Sequence, residues 1–577
     1  MKMQRTISAL ATIVVLFYIF PVQAGKQHKQ ENIENSKSLN HFLTSGYSRK
    51  KILETAATHN GNLLFKHWKN TPDTIHIIAF RIEFNGGQPD TTSYTTGNGL
   101  FGLRGGGDKT ERKYYDHGVY KYDNLPHDSA YFDRQLQFVR DYFSTVSHGK
   151  LYIEYSIYPS GQEKAYTLES SMVEYGPGDK LAKETNAEYN TRVNIKLLKF
   201  IRDAVDQANS AAESPFSGLH YNPAGNIVDS ADHRAVFLIL HAGASYLTDG
   251  GYNGSSYRNS PFDMIDAFIT PDYLEAYKDT LKLASSGIKV TGASGQSLLV
   301  DEIMMAPETS NQDSLNFGIH GILVNEIARQ IGIPDLYSTS SGTTAIGGFC
   351  IMDFYGYSSG QGFVPPWPSA WVRSFMGWEE PVVASMGSNR SFRLKAACLG
   401  HGLATDTTIL LIPLNDHEYY LVENRQRSLV GGSGIFTYDT TDNNIYIDPS
   451  FPLNIDNNVV TKSDTSSEIL KVKNFDAAAP ASGIVVWHVD ENIIRDRLNY
   501  DYLNADSTYR AVSLVEADGV NDIGYEFENS YYQLFYDYGG AEDIFPHRTI
   551  NRTTSSGSDS TFTINFMGPW SKPATTA

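Results

Sequence analysis

The chain contains 577 residues, of which 65 are Asp or Glu and 47 are Lys or Arg, so its formal net charge is −18 and its pI is about 5.3. This length is too great for one hydrophobic core, so we expect two or three domains. The negative charge disfavours nucleic acid and anionic membranes as partners, and 36 Tyr and 29 Phe favour a β-rich globular protein over a disordered one.

Residues 1–24 have the pattern of a secretory signal peptide. Lys2 and Arg5 supply the positive charge, an apolar run follows, and small residues (Val22 and Ala24) stand at the cleavage positions. The pattern predicts a protein secreted to the extracellular space or the periplasm, with no transmembrane segment after cleavage. An uncleaved membrane anchor is the alternative.

The next part of the chain alternates strands with helices after a polar segment at 25–69, which is either a short prosegment or a flexible arm. The predicted elements are strand 75–84, helix 129–144, strand 151–157, helix 193–209 and strand 235–240. The run at 235–240 is continuously apolar, which is typical of a strand buried on both faces. This order predicts an α/β domain over residues 70–381.

Helical patterns fade after Pro381, and short strands separated by Asn, Asp and Gly turns follow. We expect strands at 408–414, 419–423, 483–489 and 510–516. This pattern predicts a β-rich, sandwich-like domain over residues 382–577.

The most informative segment begins at Asn325 and reads NEIARQIGIPDLY. It matches the zinc-protease pattern H-E-x-x-H-x-x-G-x-x-D except at the two histidines. In that pattern the histidines lie four residues apart on one helical face and bind zinc, while the glutamate acts as general base. Here Asn325 and Arg329 stand at the histidine positions, whereas Glu326, Gly332 and Asp335 are retained.

Further segments carry a family resemblance when they are taken together with this motif. They are DYFSTVSHGKL from Asp141, HAG from His241, IMD from Ile351, PSAW from Pro368, MGW from Met376, EYYLVENR from Glu418, GIVVWHVD from Gly483 and EADG from Glu516. Over roughly residues 70 to 550 the chain resembles the immune inhibitor A family of secreted zinc metallopeptidases. The resemblance implies a zincin-type peptidase domain followed by a β-rich domain.

The same resemblance assigns a role to each residue of the motif. Asn325 and Arg329 stand where the family has its two helical zinc ligands, and Asp335 stands at the third metal position. Glu326 stands where the family has its general base, and Met352 lies at the methionine turn beneath the metal. The departure from the family pattern therefore falls on the metal ligands themselves.

An asparagine amide is a poor zinc ligand, and arginine cannot ligate because it stays protonated. We therefore expect no zinc and no catalysis by the family mechanism. We further expect the Arg329 guanidinium to fill the vacated metal volume and bridge Glu326 and Asp335; the alternative is a surface arginine that pairs only with Glu326. His241 is the remaining candidate to approach the site, from the loop after a buried strand, although a lone loop histidine is more often a hydrogen-bonding residue.

Other motifs in the chain are weaker. Oxygen-rich loops at 442–448 and 518–522 are candidate calcium sites, with solvated acidic turns as the alternative. The glycine patterns at 97–102 and 356–360, the second of which contains Ser358, lack the helix that dinucleotide binding or a serine nucleophile requires, so we interpret both as loops. The two cysteines, Cys350 and Cys398, are either a disulfide or two buried thiols.

Three functions are consistent with these residues. The preferred interpretation is a pseudopeptidase that uses the former active-site cleft to bind a peptide or protein, for example by strand addition. The first alternative is an active metalloendopeptidase with a non-standard metal site, and the second is a structural surface or matrix protein.

Overall fold

The computed structural model describes residues 73–85, 99–102, 126–245, 251–252, 257–258, 264–310, 318–353, 356, 362–384, 391–399, 407–427, 436–439, 444–447, 460–462, 468–472, 474–498, 501–528, 534–537, 539–545, 550–553 and 559–562. The predicted signal peptide, the segment at 25–69 and Ser358 lie outside the described residues. So do parts of the glycine pattern at 97–102 and of the candidate calcium loop at 442–448.

The strands of the first part, in chain order, are β1 Asp73–Glu83, β2 Leu151–Tyr158, β3 Tyr166–Thr167, β4 His220–Tyr221, β5 Ile227–Val228, β6 Arg234–Ala244, β7 Gly251–Tyr252, β8 Tyr257–Arg258, β9 Ala267–Ile269, β10 Ile288–Thr291, β11 Ser297–Val300 and β12 Ile303–Thr309. The helices are α1 Ser129–Val146, α2 Met172–Tyr175, α3 Asn186–Ser210, α4 Pro271–Leu281, α5 His320–Gln330 and α6 Ala370–Phe375. Short 3-10 turns lie at Ala293–Gly295 and Gly347–Phe349.

The main sheet follows the order β2-β1-β6-β12-β9. Its first four strands are parallel, and β9 pairs antiparallel with β12 at the end of this path. The short strand β3 extends β1, and β5 pairs with the start of β6. The strand β6, which the apolar run predicted, is therefore held between β1 and β12 in the middle of the sheet.

The helices of this part cover both faces of the sheet. Helix α1 connects β1 to β2, and α3 lies in the connection from β2 back past β1 to β6, so the two connections run in opposite directions across the sheet. Because both connections are right-handed crossovers, α1 and α3 lie on opposite faces. Helix α5 contacts α1, β12 and β9, which puts it on the face of α1. The active-site-like motif thus lies on a helix packed at the β12–β9 edge.

Local sequence explains where the two long helices begin. The Asp128 carboxylate caps α1 by accepting from the backbone N–H groups of Ala130 and Tyr131, both at 3.0 Å. Helix α3 starts with a capping box, in which Thr185 accepts from the N–H of Glu188 and the Glu188 carboxylate accepts from the N–H of Thr185.

The later strands are β13 Val382–Val383, β14 Ile409–Pro413, β15 Glu418–Arg425, β16 Phe436–Asp439, β17 Asn444–Ile447, β18 Val460–Lys462, β19 Ile469–Val472, β20 Gly483–Asp490, β21 Val512–Leu514, β22 Glu526–Glu528, β23 Leu534–Tyr536, β24 Ile550–Thr553 and β25 Asp559–Phe562. A second sheet has the order β13-β14-β15-β20-β21, and four two-stranded hairpins account for the others. Helix α7 Glu491–Arg497 follows β20, and 3-10 turns lie at Ala397–Leu399 and Phe475–Ala478.

Buried ion pairs join the second sheet to the first part of the chain. Arg373 of α6 donates to Glu379 at 2.7 Å and to Glu423 of β15 at 2.9 Å, with all three side chains fully buried. Arg425 of β15 pairs with Asp476 and donates to the carbonyl oxygen of Phe349 at 3.0 Å. One continuous buried apolar cluster likewise contains side chains from both parts.

These observations confirm a mixed α/β architecture with two principal sheets. Cys350 and Cys398 are both free thiols, so they do not form the disulfide that was one of the two alternatives. Within the described residues, no helix combines the length and the apolar character needed to cross a bilayer.

Candidate functional site

Helix α5 carries the motif, and all eleven of its residues are buried. Its apolar side chains belong to the main buried cluster, which is consistent with its packing against α1, β12 and β9. The helix ends at Gln330, and Gly332 then adopts a φ of +94°, a conformation that glycine reaches without strain. That turn directs the following segment back toward the helix and places Asp335 beside Arg329.

Arg329 connects the two carboxylates that the motif retains. Its Nη1 donates to Glu326 Oε1 at 2.6 Å, and its Nε donates to Asp335 Oδ1 at 3.0 Å. Glu326 and Asp335 are completely buried, and Arg329 is only 7% exposed. The predicted bridge is therefore present, and the alternative of a surface arginine paired with Glu326 alone is wrong.

The electrostatics of the site reflect burial of several charges around one guanidinium. Burial raises the pKa of Glu326 to about 8, with Asp266 and Asp335 adding to the rise and Arg329 opposing it. Burial likewise raises the pKa of Asp266, while Arg329 lowers it. For Arg329, burial acts to lower the pKa, but the two carboxylates outweigh it and hold the pKa well above its ordinary value.

Several polar atoms around Arg329 lack a partner among the described residues. They are Glu326 Oε2, Asp335 Oδ2 and the hydroxyl of Tyr337. Burial also raises the pKa of Tyr337, and the nearby Asp335 carboxylate raises it further. Buried polar groups are normally hydrogen-bonded, so the site retains unused acceptor oxygens beside its one cation.

Asn325 points to the turn that was expected beneath the metal. Its Nδ2 donates to the carbonyl oxygen of Ile351 at 3.1 Å and lies 3.8 Å from Met352 Sδ. Met352 is fully buried, and its carbonyl oxygen accepts from the N–H of Leu336 at 2.9 Å. Asn325 and Met352 therefore connect α5 to this turn through direct side-chain contacts.

Zinc, which the family resemblance implies as a cofactor, does not fit these residues. The Asn325 amide is used in a hydrogen bond to the main chain, and the guanidinium lies between the two carboxylates that would otherwise face a metal. A dication in that volume would meet a fixed positive charge within a few ångströms.

His241 lies away from this constellation. It belongs to strand β6, where it pairs with Ile82 and Pro307, and it was expected in a loop after the strand. Its Nδ1 bonds to the carbonyl oxygen of Ala242 at 2.9 Å, and its ring meets Phe200 of α3 edge-on. Since α3 covers the face opposite α5, and no hydrogen bond among the described residues links His241 to Glu326, its position assigns it no part in the Arg329 site.

Sequence reasoning missed three polar residues near the motif. Asp266 precedes the edge strand β9, Tyr337 ends the motif segment, and Asp501 accepts from the N–H of Asp335 at 3.2 Å. Asp501 also binds the Thr339 hydroxyl through its carbonyl oxygen at 2.6 Å. Only Tyr337 was close enough in sequence to be suspected; Asp266 and Asp501 come from distant segments and carry no local signal.

Two groups of metal-ligating side chains lie elsewhere in the described residues. One contains His76, Glu154 and Asp229 at the start of the parallel strands, and the other contains Glu516, Asp518 and Asp543 after β21. In the first group His76 Nδ1 already bonds to Asp229 Oδ2 at 2.7 Å and His76 Nε2 to the Ser156 hydroxyl at 2.8 Å. In the second group the three side chains are all carboxylates, from Glu516, Asp518 and Asp543.

Comparisons with known proteins give no support for the family resemblance. No protein-family model matches the chain. No curated protein matches it either.

Proposed function

We propose that this chain is a catalytically inactive, secreted relative of the immune inhibitor A-like metallopeptidases, in which the former active-site region serves binding. The supporting observation is the Arg329 bridge: a permanent cation contacts both retained carboxylates at 2.6 and 3.0 Å. The proposal includes a zincin-type arrangement for residues 70–381 and a sandwich-like domain for residues 382–577.

The loss of catalysis follows from the chemistry of the substituted positions. Hydrolysis by a zinc peptidase requires a Lewis acid that polarises the carbonyl and lowers the pKa of a bound water. Asn325 and Arg329 supply no imidazole ligand, and Arg329 donates directly to Oε1 of Glu326, the residue at the general-base position. Glu326 is therefore a salt-bridge partner in this chain, and we expect no proteolytic activity.

The proposed binding role rests on the strand that borders the site. Strand β9 ends the main path of the sheet, runs antiparallel to β12 and contacts α5, so an extended peptide could join it by main-chain hydrogen bonds. Ala267 and Ile269 are nevertheless completely buried. A peptide that adds to β9 would therefore bind through main-chain hydrogen bonds and not through these side chains.

The decisive experiment restores the two histidines. The double variant Asn325→His with Arg329→His should bind about one zinc per chain, because it rebuilds the two helical ligands next to Asp335. A matched double variant, Asn325→Gln with Arg329→Gln, removes the same side chains without supplying imidazole and should bind none. Zinc content measured by atomic emission after dialysis reads out both variants and the natural chain.

Each outcome of that experiment bears on the proposal. Zinc uptake by the histidine variant alone supports a preserved peptidase scaffold whose metal site was lost. Stoichiometric zinc in the natural chain, together with chelator-sensitive cleavage of a polypeptide, would show an active enzyme. Absence of zinc in the histidine variant would mean that the surrounding geometry is not that of a peptidase.

Secretion is part of the proposal and has a separate test. N-terminal sequencing of the exported protein should begin at Gly25, directly after the predicted cleavage position. Retention of Met1 in a membrane fraction would instead support the uncleaved anchor.

A further inference from the structure

An acidic pocket lies where the chain leaves β21. Two segments meet there, one from Glu516 to Asp522 and the other around Asp543, joined by a hydrogen bond from the N–H of Ala517 to the carbonyl oxygen of Asp543 at 3.1 Å. One carboxylate oxygen from each of Glu516, Asp518 and Asp543 lies within 4.8 Å of the others. Three side chains separated by up to 27 positions in the sequence thus converge on one small volume.

Two members of this pocket are deeply buried. Glu516 is 2% exposed and Asp543 only 1%. Asp543 uses Oδ2 to accept from the N–H of Gly540 at 2.6 Å, and Glu516 uses Oε2 to accept from the N–H of Asp522 at 2.7 Å. The other oxygen of Asp543, Oδ1, is buried and has no partner among the described residues. An unpartnered carboxylate oxygen at this depth is costly unless a ligand binds it.

Further acidic side chains lie around the same point, since Asp537 and Glu542 act electrostatically on Asp543 together with Glu516. A bound cation would offset the repulsion among carboxylates in this small volume.

Among the described residues, Arg510 is the basic side chain that acts on Glu516, and its effect is weak. Arg510 lowers the pKa of Glu516, but this is the smallest of the influences on that group. Its Nη1 donates to the carbonyl oxygen of Ala345 and its Nη2 to that of Ile523, each at 2.8 Å. Arg510 therefore donates its hydrogen bonds to main-chain carbonyl oxygens, in contrast to Arg329, which contacts its carboxylates directly.

We propose that Glu516, Asp518 and Asp543 bind one calcium ion. The donor set consists of oxygen atoms only, which selects a hard cation over zinc or copper. Calcium–oxygen distances of about 2.3–2.6 Å allow one ion to reach oxygens up to about 5 Å apart, and the three carboxylate oxygens lie within 4.8 Å of one another. Magnesium requires oxygens at about 2.0–2.1 Å and keeps several waters, so it fits this pocket less well.

Contacts of the loop after β21 with a neighbouring segment indicate how a bound ion would stabilise the fold. Gly524, with a φ of +86°, packs so closely on Thr344 that an added Cβ would clash with the carbonyl oxygen of that residue. Asp353, beside Met352, holds the same segment by accepting from the Thr344 hydroxyl at 2.7 Å and from the N–H of Ala345 at 2.9 Å. Calcium would therefore fasten the loop after β21 against the turn beneath α5. The inference does not depend on the proposed peptidase ancestry.

The test uses the full mature chain after removal of divalent ions with EDTA. We expect saturable calcium binding by calorimetry, with a dissociation constant in the range of extracellular calcium modules, about 10⁻⁴ to 10⁻³ M, and a rise in Tm on addition of calcium. Asp543→Asn and Asp518→Asn should each lose that rise. Asp506→Asn, which alters an aspartate whose side chain bonds to Thr508 within its own turn, should keep it.

The variants also separate ligand loss from misfolding. In EDTA, Asp543→Asn should unfold at a Tm close to that of the natural chain, because the amide has the same size as the carboxyl group and can still accept from the N–H of Gly540. Absence of saturable binding up to about ten times the weakest expected constant, an undiminished calcium response in both pocket variants, or an equal response to magnesium would each overturn the proposal.

Discussion

Replacement of Arg329 by methionine tests whether the bridge holds the site together. The substitution keeps most of the side-chain volume but leaves the buried Asp335 carboxylate without its cation and removes the donor to Glu326, whose raised pKa keeps it largely protonated near neutral pH. Removal of one partner from a buried ion pair costs about 3–5 kcal/mol. We expect a loss of that size in the free energy of unfolding, measured by urea titration and followed by tryptophan fluorescence.

Two further variants make this measurement specific. Arg234→Met removes an arginine that lies 3.0 Å from Glu302 but is 43% exposed, and it should cost less than about 1 kcal/mol. The triple change Arg329→Met, Glu326→Gln and Asp335→Asn removes the stranded charges and should recover most of the lost stability. A loss below about 1 kcal/mol for Arg329→Met alone would refute the reasoning, since it would show that the bridge contributes no more than a surface pair.

Other features of the molecule give further expected outcomes. The pKa of Glu326 is raised to about 8, above its value in the unfolded chain, so the folded state binds one proton more between pH 4.5 and 8. The free energy of unfolding should therefore fall as pH rises through this range, and Glu326→Gln should flatten this dependence on pH. Burial lowers the pKa of His241 to about 4, so stability should fall by about 3 kcal/mol as pH drops from 6.5 to 4, and His241→Gln should remove this loss in acid titrations of unfolding. Arg425→Met should lower the free energy of unfolding by about 3–5 kcal/mol in urea titrations, because it leaves the buried Asp476 carboxylate without its cation, whereas Glu423 keeps its ion pair with Arg373. Burial raises the pKa of Cys350, so this thiol should resist labelling in the native chain and react only after unfolding; rapid native labelling would contradict its buried position.

The sequence predicted those elements that have strong local patterns. The strand expected at 235–240 is the central β6, and the helix expected at 129–144 is α1 Ser129–Val146. The helix expected from 193 in fact begins at Asn186, because the capping box of Thr185 and Glu188 starts it seven residues earlier. That signal was present in the sequence, whereas the apolar stripe used for the prediction becomes regular only after Val193.

The missed parts of the fold depend on pairing between distant segments. The short strand β9 contains three residues and is fixed by β12, some thirty-five positions later, so its own sequence does not identify it. Asp266 reaches the site only through that pairing. Asp501 reaches Asp335 across 166 positions through a loop of the second part of the chain. By contrast, the contacts of Arg329 with Glu326 and Asp335 were predictable, because all three residues lie within one helix and the turn that follows it.

The charge balance of the site indicates how its buried carboxyl groups are neutralised. A zinc ion would bring two positive charges to a volume that now holds the carboxyl groups of Glu326, Asp335 and Asp266, but Arg329 brings only one. If all three carboxyl groups were ionised, the buried site would carry a net charge of −2, which is unfavourable at low dielectric. Burial raises the pKa values of Glu326 and Asp266 although the guanidinium opposes the rise. Protons bound to these two groups therefore supply the remaining positive charge. It follows that zinc could return to the histidine-restored variant only by displacing protons, so its affinity for zinc should rise with pH.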